Sequence, residues 1–351
     1  MDIKQLLKLM IDKDASDLHL IVGVLPHLRI HGDLAPVEGE AALTVETAKE
    51  MIFPLLTPQQ KDLFLVNKEL DFSVELGKMG RFRVNVYFQK GSMAAALRLI
   101  TEKIRSIEEL NLPKICYQFA ELRQGLVLVT GPTGHGKSTT IAAIIDRINQ
   151  SQASHVVTIE DPIEYVYPSA MSIISQREMH SDTHSWAVAL RSVLREDPDV
   201  VLVGEMRDYE TIAAALTVAE TGHLVLATLH TNSAAQTVDR VVDVFPEHQQ
   251  AQIRVQLANV LAGVIAQRLV PAIGGGRVPA AEILLGTAAI KTSIREGKSH
   301  LINNVIQTSA ELGMQLLEQD LARLVNGGQV DLKVAQQYAL SPQELTRLVK
   351  K

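Results

Sequence analysis

The stretch Leu126-Val127-Leu128-Val129-Thr130-Gly131-Pro132-Thr133-Gly134-His135-Gly136-Lys137-Ser138-Thr139 decides how this chain is read. Gly131 to Ser138 fit the pattern G-x-x-x-x-G-K-[ST] at every fixed position. From average composition, a chance match occurs in about one chain of this length in a hundred. The context sharpens it. A β run, Leu126–Thr130, enters the loop, and a helix is predicted over Thr139–Asn149. Glycines let backbone N–H groups turn inward and approach phosphate oxygens closely. The helix N-terminus adds its positive end. Lys137 has the reach for β- and γ-phosphates, and the Ser138 hydroxyl is a hard oxygen ligand suited to Mg²⁺. Residues 131–139 are therefore expected to hold the phosphates of a nucleotide.

Downstream of the loop, apolar runs alternate with helical patterns. The predicted strands are Leu126–Thr130, His155–Ile159, Val200–Gly204 and Leu224–Thr228. Fully apolar strands separated by helices indicate an α/β fold with a parallel-core sheet buried on both faces. After Pro271 and the turn Gly274-Gly275-Gly276 the chain returns through Val278–Leu285. From about Ala288 it reads as C-terminal helices, with Gly297, Gly313 and Gly327-Gly328 as stops. Upstream, Ile3, Leu6, Leu7 and Met10 recur at helical spacing. Leu18 to Ile30 is strand-like with breaks at Gly23 and Pro26, and residues 44–66 are helical with breaks at Pro54 and Pro58. Asp71–Glu75 and Arg81–Phe88 read as a strand pair around Gly77 and Gly80, and Met93–Ile100 as a further strand. The expected organisation is an α+β domain over 1–100, a linker over 101–123 containing Pro113, and an ATPase-like domain over 124–351.

In an open parallel sheet, ligands lie beyond the carboxyl ends of the strands. Three further strand ends carry chemistry. Glu205 follows Val200 to Gly204, the arrangement of an apolar strand ending in a carboxylate that supports Mg²⁺ through water or polarises an attacking water. Glu160 and Glu164 follow the strand His155–Ile159, and either offers a general base; the alternative for each is a helix cap or an ion pair. His230 follows Leu224–Leu229 and suits a hydrogen bond to a γ-phosphate; the alternative is a satisfied loop histidine. His223 stands at the opposite end of that strand. His180 and His184 are four apart and would share a helix face, with no third metal ligand evident. Arg81 and Arg83 alternate on a strand and point to one face. They read either as a solvated face or as arginines acting on a neighbouring subunit's nucleotide. Arg98, Arg195, Arg207, Arg240 and Arg268 remain unranked candidates.

Composition sets the outer limits. The chain has 351 residues, 46% of them hydrophobic, and a formal charge of −6. That suits a globular protein of about two domains. Its acidic balance argues against a protein that coats nucleic acid. Cys116 is the only cysteine, so neither an intrachain disulfide nor a cysteine-based zinc site is possible. A thiol-poor chain suits a reducing cytoplasm. No apolar run approaches the roughly 18 residues that cross a bilayer, and the mixed-charge start lacks the features of a secretory signal.

Together these boxes resemble bacterial type II/IV secretion ATPases. The resemblance rests on Gly131–Ser138, on Thr158-Ile159-Glu160-Asp161-Pro162-Ile163-Glu164-Tyr165, and on Leu194-Arg195-Glu196-Asp197-Pro198-Asp199 running into Gly204-Glu205-Met206-Arg207-Asp208. It rests also on Thr221-Gly222-His223 through Leu229-His230-Thr231-Asn232. Ala15-Ser16-Asp17-Leu18-His19-Leu20 and Gly80-Arg81-Phe82-Arg83-Val84-Asn85 are similar to the PilT-type retraction motors of type IV pili. The resemblance implies a homohexamer whose subunits pair a PAS-like N-terminal domain with a RecA-like P-loop ATPase domain. It implies ATP and Mg²⁺ as ligands, an inner-membrane pilus platform protein as partner, and a second retraction ATPase as a companion. No nucleic acid is implied, and membrane contact is indirect, from the cytoplasmic face of the inner membrane. Carried over by residue, Lys137 and Ser138 take phosphate and Mg²⁺, Glu205 supports the metal, and Glu164 in preference to Glu160 is the base. His230 senses nucleotide, and Arg81 and Arg83 act across the interface. An accessory nucleotide-binding ring and an extension or secretion ATPase are the alternatives. His135 stands where the family more often has serine, which suggests a pH dependence in the histidine range. Ala289–Lys298 matches the family's retraction signature at Ile294 to Lys298 and departs from it at Lys291, Thr292 and Ser293.

Overall fold

The computed structural model describes residues 1–30, 32–100 and 103–349, apart from the Lys78 side chain. The chain divides into two compact units, one of residues 1–103 with 162–166, the other of 104–161 with 167–351.

The first unit runs α1 (Ile3–Asp12), β1 (Ala15–Ile21), β2 (His27–Ile30), β3 (Asp33–Pro36), α2 (Val45–Ile52), α3 (Pro58–Asn67), β4 (Glu69–Glu75), β5 (Arg81–Gln89) and β6 (Ser92–Ile100). Its strands form one sheet in the order β3-β2-β1-β6-β5-β4, every pair antiparallel. Asp2 and Gln5 close a capping box at the start of α1, satisfying two orphan N–H groups. The 3–4 spacing of Leu6, Leu7 and Met10 puts all three fully into the core, about 2 kcal/mol each in apolar burial. In β5 the period of two separates buried Phe82, Val84 and Val86 from Arg81, Arg83 and Asn85 on the opposite face.

The second unit runs α4 (Ile115–Glu121), β7 (Gly125–Thr130), α5 (Lys137–Ser151), β8 (His155–Glu160), β9 (Ile173–Glu178), α6 (Trp186–Val193), β10 (Val200–Val203), α7 (Tyr209–Glu220) and β11 (Leu224–Leu229). It continues with α8 (Ala234–Asp243), α9 (Glu247–Val260), β12 (Leu261–Pro271), β13 (Arg277–Leu285), α10 (Ala288–Arg295), α11 (Ile302–Thr308), α12 (Leu317–Asn326), α13 (Leu332–Tyr338) and α14 (Pro342–Leu348). The sheet order is β13-β12-β7-β11-β10-β8-β9. All neighbours are parallel except the edge hairpin β12–β13. The C-terminal helices belong to this unit: Leu317, Leu321, Leu324 and Leu345 pack with Val270 and Ala280 of the hairpin. Among the described residues no helix is long and apolar enough to cross a membrane.

Four expectations are corrected. Thr101 and Glu102 of the expected linker lie outside the described residues, and part of the rest is core. Ile115, Cys116, Phe119 and Ala120 of α4 are buried, and Gly263 of β12 is bare because a Cβ there would come within 2.4 Å of the Phe119 ring. Pro113 reads as a breaker but stands just ahead of the helix, where a missing N–H costs nothing. Burial pushes the Cys116 thiol up to about 12, which makes it inert. Strands β9 and β12 were not anticipated. β9 is a polar edge strand, and β12 follows α9 with no intervening loop, so no turn signal separates them. The span Leu18–Ile30, read as one interrupted strand, is the antiparallel pair β1–β2. His180 sits in a turn at φ +67° and not on a helix face.

Candidate functional site: a phosphate cradle at the switch point of the sheet

Register brings the strand ends together. Val203 of β10 pairs with Ile159 of β8 and Ala227 of β11, and Leu229 of β11 pairs with Thr130 of β7. The cradle, Glu160, Glu205 and His230 thus leave the same edge of one sheet, as ligand binding at carboxyl ends requires. Gly204 lets Glu205 follow β10 closely, because a Cβ there would meet Ile159 O at 3.1 Å and Trp186 at 3.2 Å.

The cradle itself is a tight object. Gly131, Gly134 and Gly136 take φ of +139°, +77° and +80°. α5 starts at Lys137 and runs 15 residues, so its N-terminal dipole faces the loop. The Lys137 ammonium is buried and donates to the carbonyls of Gly131 at 2.9 Å and Pro132 at 3.1 Å. Its Nζ also lies 3.4 Å from His230 Nδ1, as does Thr133 Oγ1.

His230 bridges to the carboxylate. Its Nε2 stands 3.1 Å from Glu205 Oε1, while Arg207 Nη2 donates to Glu205 Oε2 at 2.7 Å. Burial works to raise the Glu205 pKa, but the Arg207 hydrogen bond and the neighbouring His230 and Arg207 charges outweigh it and hold the group below the ordinary carboxylate range. Glu205 is therefore ionised at neutral pH. Lys137, His230, Glu205 and Arg207 form one connected polar cluster.

The acidic box divides. Glu160 is buried, its Oε1 accepting from Thr158 Oγ1 at 2.7 Å and from Gln176 Nε2 at 3.2 Å. Glu164 is exposed and lies in the 162–166 segment that groups with the first unit. Arg81 and Arg83 do share a face of β5. Arg81 Nη2 donates to Ser73 Oγ at 2.5 Å, and Arg83 Nη2 to Asp71 Oδ2 at 3.3 Å. Of the unranked arginines, Arg98 pairs with Asp17 at 2.8 Å, Arg268 donates to Tyr338 O at 2.7 Å, and only Arg207 is shown touching the cluster.

Sequence reasoning missed the clamp behind the cradle. Gln267, buried in β12, donates through Nε2 to His135 O at 2.9 Å and accepts at Oε1 from Thr140 Oγ1 at 2.7 Å. Arg277 Nη1 donates to Gly134 O at 3.2 Å. The polar pair Gln267-Arg268 inside the otherwise apolar run of 261–271 is the signal that pointed to Gln267.

His135 is tied into the same clamp, and its expected pH dependence shifts. The Leu269 N–H donates to His135 Nδ1 at 3.0 Å, so the ring is neutral there and accepts. Burial lowers the His135 pKa, and the Arg268, Arg277 and Lys137 charges lower it further. A histidine depressed in the fold stabilises it fully above its unfolded value, about 6.5, and this stabilisation is lost as pH falls through the lower folded value. ADP affinity is expected to be insensitive to His135 from pH 8 to 6.5. Below the folded value it should weaken by up to about tenfold per pH unit. Fluorescent-ADP titrations of wild type and His135→Ser across pH 5 to 8 check this; an acid limb that persists unchanged in the serine variant assigns it elsewhere.

The donor set fits Mg²⁺ with a nucleotide. Ser138 offers a hydroxyl on the first turn of α5 and Glu205 an ionised carboxylate, both hard oxygen ligands. Among the described residues no group of three or more His, Cys, Asp or Glu could hold a metal, so Mg²⁺ here would be held mainly by phosphate and water.

Comparison with known proteins agrees with this geometry. The family model described as type II/IV secretion system protein matches residues 2–275. The type IV pilus retractation ATPase PilT of Pseudomonas aeruginosa is 46% identical over 98% of this chain and 99% of its own length. The type IV pilus ATPase PilU of the same organism is 38% identical over 100% of this chain and 92% of its own. A crystal structure of the pilus retraction motor PilT with bound ADP superposes with a TM-score of 0.93 at 45% identity, covering 99% of each chain.

Proposed function

The chain belongs to the type II/IV secretion system protein family, in its PilT-type branch, and on that premise we propose that it is an ATP-hydrolysing motor subunit that drives retraction of a type IV pilus. The observation that supports this most is the cluster Lys137–His230–Glu205–Arg207 at the mouth of the cradle. A module that only bound nucleotide would need the cradle but not a carboxylate bridged to a γ-phosphate sensor.

The proposed chemistry uses the chain's own groups. The cradle N–H groups and Lys137 hold the β- and γ-phosphates; Ser138 would help to hold Mg²⁺, which would supply neutralisation of phosphate charge. Glu164 takes a proton from the attacking water as its oxygen bonds to the γ-phosphorus. The bond to the β-phosphate oxygen breaks, leaving ADP and phosphate. Buried Glu160 serves as a fixed acceptor that orders the end of β8. Glu205, held ionised by Arg207, orients water at the cradle mouth and would support Mg²⁺ through water, and His230 loses its partner when phosphate departs.

Hydrolysis does work only if it is passed on. We propose that the subunits, each carrying a PAS-like unit over 1–100 and a RecA-like ATPase unit over 124–351, assemble as a homohexamer in which Arg81 and Arg83 act on the next subunit's γ-phosphate. The Arg83–Asp71 pair is half-exposed, so exchanging Asp71 for phosphate costs under about 1 kcal/mol. The ring would work in the cytoplasm against an inner-membrane platform protein. The companion retraction ATPase is a second, narrower reading, represented by the 38% identity with PilU against 46% with PilT.

The test is Mg²⁺-dependent ATP turnover as a function of protein concentration, with Lys137→Ala as the blank. Turnover per subunit should rise to a plateau. Turnover equal to the blank, with nucleotide bound, would assign an accessory ring instead. Arg81→Ala should lower turnover at least tenfold with ADP affinity nearly intact. Parallel loss of both would remove the trans-acting role.

A further inference from the structure

His230 reports on phosphate only if its own backbone is held, and the structure shows what holds it. Three residues, Thr231-Asn232-Ser233, separate His230 from Ala234, the first residue of α8. A helix leaves its first N–H groups without intrahelical partners. At α8 the Gln236 N–H finds Ser233 Oγ at 3.2 Å. The Ala234 N–H finds Glu282 Oε1, from mid-strand β13, at 2.6 Å. That carboxylate is 2% exposed and comes from 48 residues away.

The other side of the same turn is also pinned. Thr231 Oγ1 and Thr237 Oγ1 lie 2.7 Å apart, Thr237 Oγ1 donates to Ser233 O at 2.7 Å, and Thr130, the residue before Gly131, is 3.5 Å away. The sensor loop is therefore tied to α8 by Thr231 and Thr237, which pack beside Thr130, and α8 is tied to β13 by Glu282. The far end of α8 reaches the segment that departs from the retraction signature: Val238 and Val242 share a cleft with Arg254, Ser293, Ile294 and Gly297.

We infer that Glu282 is a positioning residue for ATP turnover: as the anchor of α8 it holds His230 against Glu205 and Lys137.

The charge environment is consistent with a group kept for a reason other than solubility. Burial raises the Glu282 pKa to about 7, against the pull of the Ala234 N–H. Glu318 of α12 adds to the rise, and the Leu317 N–H and Arg268 of β12 oppose it. An apolar residue would be the cheaper occupant of this position. Only an acceptor at that reach satisfies the first N–H of α8.

The inference rests on the ATPase reading, and its test separates the two. Wild type, Glu282→Gln and Glu282→Ala are compared by kcat, by KM for ATP, by fluorescent-ADP Kd, and by hydrogen exchange of the amides of 231–237. Glu282→Gln keeps an acceptor oxygen and should stay within about threefold of wild type in every readout. Glu282→Ala should exchange faster over 231–237 and lose at least tenfold in kcat, with ADP Kd within about threefold. Should Glu282→Ala fail to fold, Glu282→Asp, one methylene short, carries the same expectation. Unchanged exchange, a wild-type kcat in the folded short variant, or equal damage in Glu282→Gln would overturn the inference. A wild type with no turnover would overturn the ATPase reading alone, since the exchange readout needs none.

Discussion

Glu205→Gln is expected to lower Mg²⁺-dependent ATP turnover by about 10²-fold or more while ADP affinity stays within a few-fold. The substitution keeps size, removes the charge, and leaves one accepting oxygen where the carboxylate had two, so either the bond from Arg207 or the contact with His230 goes with the charge. Glu205 is held ionised by Arg207 at 2.7 Å and His230 at 3.1 Å, so at neutral pH its full negative charge faces the cradle mouth. In a half-buried site that charge acts on developing charge at phosphorus and water more strongly than in bulk solvent. ADP lacks the γ-phosphate, so its affinity rests on the glycine N–H groups, Lys137 and the dipole of α5, which the variant leaves in place. The pH dependence follows in sign. A carboxylate whose folded pKa is depressed keeps its contribution above its unfolded value, about 4.3, and loses it as pH falls through the lower folded value. Glu205 therefore imposes no limb between pH 5 and 8. Steady-state turnover and fluorescent-ADP titration on the same preparation decide it. Turnover within threefold of wild type would remove Glu205 from the chemistry and leave it an anchor for Arg207.

How much of this was legible depends on how far apart the cooperating residues lie in the chain. The cradle is local: eight residues carry the phosphate site, and glycine, lysine and serine spacing announces it. Glu205 and His230 are each local to a strand end, and the logic of a parallel sheet is enough to place both at one edge. Gln267 and Glu282 are different. Each is a buried polar residue in a largely apolar strand, and each acts on a loop 48 to 132 residues away through pairings of β12 with β7 and β13. Nothing in a periodicity reports such a pairing. β12 itself was hidden because Val260 ends a helix and Leu261 begins a strand with no turn residue between. The acidic box shows the same limit: the spacing of Glu160 and Glu164 was plain, but only the fold separates a buried acceptor from an exposed carboxylate.

The clamp makes a second large prediction, at a position where the loop motif alone would not rank one glycine above another. Gly131→Ala should weaken ADP binding by about 10²-fold or more and lower stability by about 3 kcal/mol, a fall in Tm on the order of 5–10 °C. The reason is a backbone neighbour. A Cβ at Gly131 would stand 2.2 Å from Gln267 O, and the residue sits at φ +139°. Gln267 cannot retreat: β12 is paired on both sides, Ala266 with Thr130 of β7 and Gln267 with Ala281 of β13. Relief must come from the cradle, which turns its N–H groups out of line. It also strains the Gln267 bonds to His135 O and Thr140 Oγ1 that hold the loop to the sheet. Gly134→Ala is the control. Its φ is +77°, but no heavy atom lies within 4 Å of the added carbon. It meets only the left-handed backbone cost, about 1 kcal/mol. Thermal unfolding and ADP titration of both variants separate the two causes. Equal losses would mean that positive φ alone governs the cradle. A Gly131 defect at least tenfold deeper than the Gly134 defect would assign the difference to the contact with β12, and with it the part of this phosphate site that is built from a strand more than a hundred residues away.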